Sequence, residues 1–482
     1  SYDLRYATSS FGDSDWNAAW VHQATGEPSS PKSPGNTESM TVYGLTPGTT
    51  YWFGIKSKDN ANNTSPIDTT SPQANAVAKS GAGADYINDS QATGYAKDRH
   101  IVMSSNGTVV LLYQGGSSPA GIRAKKTTDK GVTWKDLAGN SDQSTQVSTS
   151  ITREFSICLD SSDNIYVAYE TNNDIYFRKL TYSASVSTWT VGAEKTVEDN
   201  ETNYYSSYPS IVWESDSGYV WVAYGYGTSG ASPQSRARSR YSSGTFDSWT
   251  LQDVSSLVSG NYESKQPALT IRNDNPFIVY QDTDTATMNW SSWDGSSWSS
   301  PATISDVTPT GPADFSVTLI TTNVHLVYHH SGSGIRHTYY NGSSWSTPTA
   351  LSTDTNDQNP SLTTNNIYLW CFGSIFYNTN QYNIKYKSYS NSTWDSSWKA
   401  ITTDNARNLY STTPSSCTVY VPLAWTSDQP QQYTVRFDAS VTVDVTAPEA
   451  VTSLTAQTGM ASGTIGLSWI SPGDDGWSGT LD

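Results

Sequence analysis

Seven apolar stretches recur along the middle of the chain, most of them containing an aromatic residue near their end. They are VVLLYQ (109–114), IYVAYE (165–170), VWVAYG (220–225), FIVYQD (277–282), HLVYHH (325–330), IYLWCF (367–372) and VYVPLAW (419–425). A short stretch such as QPALTI (266–271) precedes the apolar one, and a more polar stretch such as IYFRKLTY (175–182) follows it. Alternating apolar and polar positions predict β-strands, and no window shows a helical period. We therefore expect an all-β protein.

The first six repeats also share a closing segment that begins with tryptophan, so each of these six holds four predicted strands in about 50 residues. These residues are Trp134, Trp189, Trp249, Trp298, Trp345 and Trp398. Four strands per repeat is the pattern of a β-propeller blade, and a single blade cannot bury its own apolar faces. We predict a seven-bladed β-propeller over residues 85–443, with six or eight blades as alternative counts. The apolar stretches are predicted to be the inner strands. Residues 85–91 are expected to supply the outer strand that the seventh repeat lacks.

The stretch TTDKGVTW (127–134) contains Thr127, Asp129, Gly131 and Trp134. It resembles the Asp-box of the sialidase and BNR-repeat propellers, a turn between the outer strands of a blade. The resemblance implies that Asp129 binds backbone N–H groups and that Trp134 packs between blades. Gly131 would supply a conformation that other residues adopt with difficulty. The Asp-box is structural in that family, so it implies no activity.

The two ends of the chain resemble complementary parts of one domain. Residues 1–81 include YDLRYATS and LTPGTTY (45–51), which resemble strands C to G of a bacterial-type fibronectin type III domain with its tyrosine corner. Residues 444–482 resemble the linker, strand A, strand B with Trp469, and the B–C loop of the same domain. The resemblance implies a β-sandwich split between the ends of the chain.

Each half of such a sandwich exposes apolar surface that the other half would bury. The predicted donor residues, each worth about 1.5–3 kcal/mol at full burial, are Val451, Leu454, Ile465, Leu467 and Trp469. The predicted acceptor residues are Tyr2, Leu4, Tyr6, Tyr43, Leu45, Tyr51 and Phe53. The halves can pair within one chain or between chains, and pairing between chains gives an open head-to-tail filament. A third interpretation is that the chain is one register of a longer tandem array.

Composition limits the classes of partner. The net charge is −17, and no basic stripe is present that would neutralise nucleic-acid phosphates or anionic lipid. No apolar run approaches the ~20 residues that cross a bilayer. The abundance of Ser, Thr, Asn, Tyr and Trp is typical of extracellular proteins, and the opening SYDLRYATSS does not resemble a leader peptide. We predict a non-catalytic, secreted or cell-surface prokaryotic protein that forms homo-oligomers, with glycans as candidate partners.

The runner-up prediction is a sialidase-like glycoside hydrolase, or a glycan-binding adhesin, that carries the fibronectin domain as a spacer. Arg99-His100-Ile101 resembles the first arginine motif of sialidases, although Val102 stands where a proline is expected. Arg153, Arg336 and Arg436 lie near strands of other repeats. No Tyr–Glu pair or acidic loop is evident, so no catalytic residue is predicted.

Metal sites are not predicted either. Cys158, Cys371 and Cys417 lie in apolar stretches and are interpreted as small buried hydrophobes, with a Cys371–Cys417 bridge as the alternative. His329 and His330 are interpreted as a hydrogen-bonded or solvated pair. The acidic turns at 282–284 and 474–476 are expected to be Asx turns, with structural Ca²⁺ as the alternative.

Overall fold

The computed structural model describes residues 2–24, 50–58, 64–67, 74–77, 92–115, 120–141, 143–150, 152, 154–200, 202–310, 313–330, 332–403, 405–418, 420–428 and 433–441, and the backbone of 452–458 and 465–470. This part of the chain contains 36 β-strands and two 3₁₀ helices, Asp13–Asp15 and Tyr262–Ser264. The prediction of an all-β protein is confirmed. None of the described helices is long and apolar enough to cross a membrane.

The N-terminal sheet has four antiparallel strands. They are β1 (Tyr2–Ala7), β2 (His22–Gln23), β3 (Thr50–Ser57) and β4 (Asn75–Val77). Their order across the sheet is β2-β1-β3-β4, so β1 and β3 occupy the centre.

Seven further antiparallel sheets follow between residues 101 and 438 of the described chain, and we number them ring sheets 1 to 7. Sheet 1 contains β5 (Ile101–Met103), β6 (Val109–Gly115), β7 (Gly121–Thr127) and β8 (Thr145–Ser148). Sheet 2 contains β9 (Phe155–Leu159), β10 (Ile165–Thr171), β11 (Asp174–Ser183), β12 (Thr188–Val191) and β13 (Lys195–Glu198). Sheet 3 contains β14 (Tyr204–Trp213), β15 (Val220–Thr228), β16 (Gln234–Ser242), β17 (Thr250–Asp253) and β18 (Val258–Ser259).

The remaining ring sheets follow the same order of strands. Sheet 4 contains β19 (Lys265–Arg272), β20 (Asn275–Asp282), β21 (Thr287–Ser292) and β22 (Ala302–Thr303). Sheet 5 contains β23 (Phe315–Ile320), β24 (Asn323–His330), β25 (Gly334–Tyr340) and β26 (Thr349–Ala350). Sheet 6 contains β27 (Gln358–Thr364), β28 (Leu369–Asn378), β29 (Gln381–Ser390), β30 (Thr393–Trp394) and β31 (Lys399–Ala400). Sheet 7 contains β32 (Asn408–Thr412), β33 (Leu423–Ser427) and β34 (Thr434–Asp438).

Apolar clusters join each ring sheet to the next. The second strand of a sheet sends alternate residues to both sides: Phe277 of β20 packs towards sheet 5, whereas Ile278 packs towards sheet 3. The last cluster contains residues of sheets 6, 7 and 1, and Trp134 meets the ring of Phe437 at 5.1 Å between centroids. Sheet 7 therefore packs against sheet 1, and the arrangement is β-propeller-like.

The innermost strand of a ring sheet is the first one, and not the apolar second strand that we predicted to be inner. Residues of β9, β14, β19, β23 and β27 line a cavity of about 240 Å³ on the ring axis. The second strands are more apolar because both of their faces are buried between neighbouring sheets, as in β6 and β10. Apolarity therefore reports packing between sheets rather than distance from the axis. The outer strand predicted at residues 85–91 lies outside the described residues.

The first strands of sheets 3, 6 and 7 carry a register shift near their start, between Ser207 and Ser210 in β14 and at the equivalent places in β27 and β32. A left-handed residue lies in each shift, with φ of 55° at Tyr208, 53° at Asn359 and 56° at Tyr410. These irregularities redirect the backbone at one rim of the ring, where β-bulges are common in closed β architectures.

The C-terminal hairpin consists of β35 (Thr452–Thr458) and β36 (Ile465–Ile470). The two strands are antiparallel, with Thr458 paired to Ile465 and Ala456 paired to Leu467. In the described part of the chain they form a sheet of their own. A two-stranded hairpin alone is marginally stable in water.

Candidate functional site

One face of the N-terminal sheet is apolar and partly open. Leu4 pairs with Ile55 and Tyr6 pairs with Phe53 across β1 and β3. Paired residues point to the same side of a sheet, and so do alternate residues of one strand. Tyr2, Leu4, Tyr6, Phe53 and Ile55 therefore share one face, which we call the acceptor face. Ile55 is 48% exposed on it, and Leu4, Tyr6 and Phe53 are half-buried.

Tyr51 lies on the same face by position and is buried, with its ring edge-on to Tyr6 at 5.7 Å. Of the acceptor residues predicted from the sequence, Tyr2, Leu4, Tyr6, Tyr51 and Phe53 thus fall on one face. Tyr43 and Leu45 lie outside the described residues.

The opposite face of the N-terminal sheet has a cover of its own. Phe11, Trp16 and Val21, from the segment after β1, form a buried cluster with Ala7. A Cβ atom on Gly54 would come within 3.1 Å of the Phe11 ring, so this glycine permits the close approach. The acceptor face is consequently the side on which the sheet still has apolar surface to bury.

The C-terminal hairpin carries most of the predicted donor positions. Ile465, Leu467 and Trp469 occupy alternate positions of β36, and Leu454 lies in β35 at a register shift between Thr452 and Thr455. Val451 lies outside the described residues.

The turn after β7 is held by the carboxylate of Asp129. Its oxygens accept hydrogen bonds from the backbone N–H of Thr133 at 2.9 Å and from the Thr133 hydroxyl at 2.6 Å. The Thr127 hydroxyl accepts the Gly131 N–H at 2.9 Å, and Gly131 has φ of 84°. Burial alone would raise the pKa of Asp129, but the hydrogen bonds from Thr133 and Thr127 lower it. Trp134, at the end of this turn, packs against Phe437, so the turn joins the edge of sheet 1 to sheet 7.

Arg99 extends into the ring axis and binds backbone oxygens of three different sheets. Its guanidinium donates to the carbonyl of Val317 at 2.6 Å, to the carbonyl of Leu362, and to Thr413 at 3.2–3.3 Å. Arg336 and Arg436 lie on β25 and β34, the third strands of their sheets, and not on the axis. Arg153 lies outside the described residues. Arg99, Arg336 and Arg436 therefore do not converge as a sialidase-like carboxylate site requires.

Residues 92–100 cross one end of the axis and touch several sheets. The Thr93 N–H donates to the Thr426 hydroxyl of sheet 7 at 3.2 Å, and the Lys97 N–H donates to the Ala313 carbonyl at 3.3 Å. Lys97 and Asp98 form a fully buried ion pair of 2.5 Å. Burial raises the pKa of Asp98 to about 6, although Lys97 opposes the shift.

Glu154 and Tyr208 meet beside this segment. The Glu154 carboxylate accepts the Tyr208 N–H at 2.7 Å, and the Tyr208 ring lies edge-on to Tyr95 at 5.4 Å. Burial raises the pKa of Glu154 to about 8, and the nearby Glu170 carboxylate adds to the shift. A carboxyl group that stays protonated at neutral pH can act as a general acid. This Tyr–Glu contact was not predicted from the sequence.

The histidines form two buried contacts without a metal-like cluster. His325 and His337 lie 2.9 Å apart between ring nitrogens. His329 binds the Asp314 carboxylate at 2.9 Å, and His330 interacts locally with the Gly332 N–H at 3.0 Å. Burial lowers the pKa of His325 to about 4 and also lowers the pKa of His337 well below its usual value.

Within the described ranges, no group of three His, Cys, Asp or Glu residues is arranged to hold a metal ion. In the acidic turn at 282–284, the Asp282 carboxylate forms an ion pair with Lys265, with 2.7 Å between Oδ1 and Nζ. The turn at 474–476 lies outside the described residues. Cys158, Cys371 and Cys417 are free thiols, so the alternative of a Cys371–Cys417 bridge is wrong for this structure.

Two sets of residues escaped the sequence reasoning. Ile55 continues the period-two pattern of Tyr51 and Phe53, and extending that alternation by one step would have found it. Asp98, Glu154 and Tyr208 belong to three repeats but lie near the start of the first strand in each. Aligning the repeats at that strand would have grouped them.

No family model matches this chain, and neither does any curated protein. Several solved structures are similar to this chain at low identity and low TM-score. A protein of unknown function from Dyadobacter fermentans is 10% identical with a TM-score of 0.43, covering 63% of this chain and 96% of its own. An ulvan lyase of a new polysaccharide lyase family is 10% identical with a TM-score of 0.45, covering 73% and 97%. A mutant Aleuria aurantia lectin in complex with Fucα1-6GlcNAc is 16% identical with a TM-score of 0.42, covering 64% and 96%. Similarity at this level assigns no activity to the chain.

Proposed function

We propose that this chain is a non-catalytic structural protein that assembles head to tail. The C-terminal hairpin of one copy would complete the N-terminal sheet of the next copy by covering its acceptor face. The observation that carries the proposal is the asymmetry of that sheet. One face is covered by Phe11, Trp16 and Val21, whereas the other presents Leu4, Phe53 and the 48% exposed Ile55.

The strand order supports a split fibronectin type III sandwich. In sandwiches of this architecture strands C, F and G share one sheet, while A and B lie in the other. The order β2-β1-β3-β4 fits C′-C-F-G, and the antiparallel hairpin β35–β36 fits A and B. Addition of strands to an incomplete fold is a known mode of association, in which backbone hydrogen bonds and side-chain pockets both contribute.

The ring is proposed to be a seven-bladed β-propeller of the sialidase/BNR type. Its support is the cyclic order of the apolar clusters, from sheets 1 and 2 through to sheets 6, 7 and 1. The Asp129 turn, with its contacts to Thr127 and Thr133, supports the relation to Asp-box proteins. We propose an extracellular location on composition alone.

The geometry of Glu154 supports the alternative of a glycan-acting enzyme. Its carboxyl lies against Tyr208 at a rim of the ring, and Tyr208 also borders an open cleft of about 470 Å³ with Glu263 and Asp284. If this cleft hydrolyses glycans, replacing the carboxylates that line it, by Glu263→Gln and Asp284→Asn, should abolish turnover of a chromogenic glycoside panel. Turnover by the wild type in that panel would overturn the non-catalytic assignment.

The assembly proposal is tested with two exposed isoleucines of the full chain. Ile55→Asp places a charge on the acceptor face, and Ile367→Asp places the same charge on the ring, where Ile367 is 68% exposed. Sedimentation velocity and negative-stain microscopy over a concentration series should show oligomers for the wild type and for I367D, and monomers for I55D. Deletion of residues 450–482 should also give monomers. Equal assembly of I55D and I367D would contradict the proposal.

A further inference from the structure

The guanidinium of Arg99 lies inside the ring, where the described residues place no matching negative charge against it. Among the described residues Arg99 forms no ion pair, and the neighbouring Asp98 carboxylate is bound by Lys97 at 2.5 Å. Carbonyl oxygens of Val317, Leu362 and Thr413 orient the guanidinium but carry no net charge. Desolvation of the charged form lowers the pKa of Arg99 to about 10. Arg99 is half-buried, and a charge that is partly removed from water is costly unless a counter-charge accompanies it.

The same guanidinium borders the axial cavity of about 240 Å³. This cavity volume is several times the ~30 Å³ that one water molecule occupies in the liquid. The cavity extends from Arg99 and Ser210 to Leu159, Trp213 and Leu319, near the ends of the first strands. These three apolar residues are only half-buried, so this end is the wider approach. Residues 92–100 cross the other end of the axis.

We propose that the axial cavity binds a small monovalent anion, such as a halide or a short-chain carboxylate, at the guanidinium of Arg99. Three observations favour an anion over other ligands. Of the two cations among the described lining residues, Lys97 is paired with Asp98 and Arg99 has no ion pair, and the hydroxyl-bearing residues Thr318, Ser415 and Ser416 line the cavity wall. The nearest carboxylate along the chain, that of Asp98, is held by Lys97 on the other side of the segment. The inference is independent of how the chain ends pair.

The cavity also limits the size of the ligand. Arg99 lies among the first strands, whose backbones surround it, and Val317, Leu362 and Thr413 already bind one side of the guanidinium. A large polyanion has no room to reach it in a cavity of this volume. The bound anion would neutralise the charge and bridge it to wall hydroxyls, thereby stabilising the centre of the ring.

The test compares thermal unfolding of the full chain in sodium chloride, sodium bromide and sodium gluconate at constant sodium concentration. For the wild type, the melting temperature should rise by about 2 °C for each tenfold increase in chloride or bromide above the dissociation constant. Gluconate should give no such dependence. Arg99→Gln should lose the dependence, and the control Arg272→Gln should keep it, because Arg272 ends β19 outside the residues that line the cavity and donates to the Thr322 carbonyl instead. A wild-type melting temperature that is independent of the anion would overturn the proposal.

A direct measurement covers the case in which Arg99→Gln does not fold. Wild-type crystals grown in bromide should show an anomalous peak in the axial cavity within hydrogen-bonding distance of the Arg99 guanidinium. A cavity without that peak at saturating bromide refutes the site. Crystals grown in acetate and then soaked in bromide should gain the anomalous peak. Loss of the peak when the same crystals are soaked back into acetate shows that halide and carboxylate compete for one site.

Discussion

The paired histidines between sheets 5 and 6 give the ring a calculable acid sensitivity. The Trp394 indole N–H donates to Nδ1 of His337 at 3.1 Å. An indole nitrogen can only donate, so His337 carries its proton on Nε2. That proton points at Nδ1 of His325, 2.9 Å away, which must accept it. Both imidazoles are therefore neutral, and neither can gain a proton without breaking this chain of hydrogen bonds.

The sign of the pH effect follows from the lowered pKa values. Burial lowers the pKa of His325 to about 4, whereas the unfolded chain protonates histidine near its usual value of about 6.5. The unfolded state thus binds more protons as pH falls, so stability decreases from about pH 6.5 down to about pH 4. At pH 5 the difference between the two states costs about 2 kcal/mol for His325, at about 1.4 kcal/mol per pH unit. Burial also lowers the pKa of His337 well below its usual value, so His337 adds a loss of the same sign.

We predict that His325→Gln reduces this sensitivity. The glutamine oxygen can still accept the His337 proton, while the titrating imidazole is gone. The difference in unfolding free energy between pH 7.5 and pH 5 should shrink by about 2 kcal/mol relative to the wild type. Urea unfolding followed by tryptophan fluorescence measures this difference. Hydrogen exchange at the imidazole C2 position, read by mass spectrometry, reports the pKa of His325 in the intact chain. Titration of His325 near 6.5, or an unchanged pH dependence in the variant, would refute the reasoning.

Three further predictions rest on other contacts. Asp129→Ala removes the acceptor of the Thr133 N–H, so unfolding in urea should show a loss of about 1–3 kcal/mol, and an unchanged midpoint would contradict a structural role of the turn. Glu154→Gln keeps an acceptor for the Tyr208 N–H but removes a charge that is unfavourable above pH 8, so its melting temperature should exceed that of the wild type at pH 9. This gain should vanish below pH 4.5, where the carboxyl is protonated in both states; a gain independent of pH would indicate repacking instead. Gly54→Val forces a Cβ into the Phe11 ring, so limited proteolysis should cut the N-terminal sheet faster than in the wild type, and equal rates would argue against this packing.

The strands of the ring were largely predictable because their signal is local. Period-two alternation and the repeated tryptophans mark where strands occur, and the second strands stand out because both faces are buried, as in Val109–Gly115. The same signal failed to identify the innermost strand. The first strands carry fewer apolar residues because one edge faces the axial cavity, so their sequence does not reveal that they are central.

The functional residues divide in the same way. The Asp129 turn closes through residues within four positions, so its sequence contains everything that the geometry needs. The setting of Arg99 depends instead on carbonyls from residues 317, 362 and 413, which only the closed ring brings together. Glu154 and Tyr208 likewise meet across 54 residues. No local pattern encodes such contacts, and repeat alignment is the one sequence operation that could approach them.

The proposed sandwich also determines how rings would be arranged in an assembly. Strand A begins and strand G ends at opposite poles of a type III domain, roughly a strand length of ~25–30 Å apart. Sheets 1 and 7 are in contact through Trp134 and Phe437, so the described ring begins and ends at neighbouring sheets. Pairing within one chain would require the segments that leave the two poles of the domain to meet at the junction of sheets 1 and 7. Pairing between chains places one ring at each pole, and the interface is heterologous, so every added copy exposes a new acceptor face and a new hairpin. For the proposed sandwich we therefore expect linear growth rather than closure.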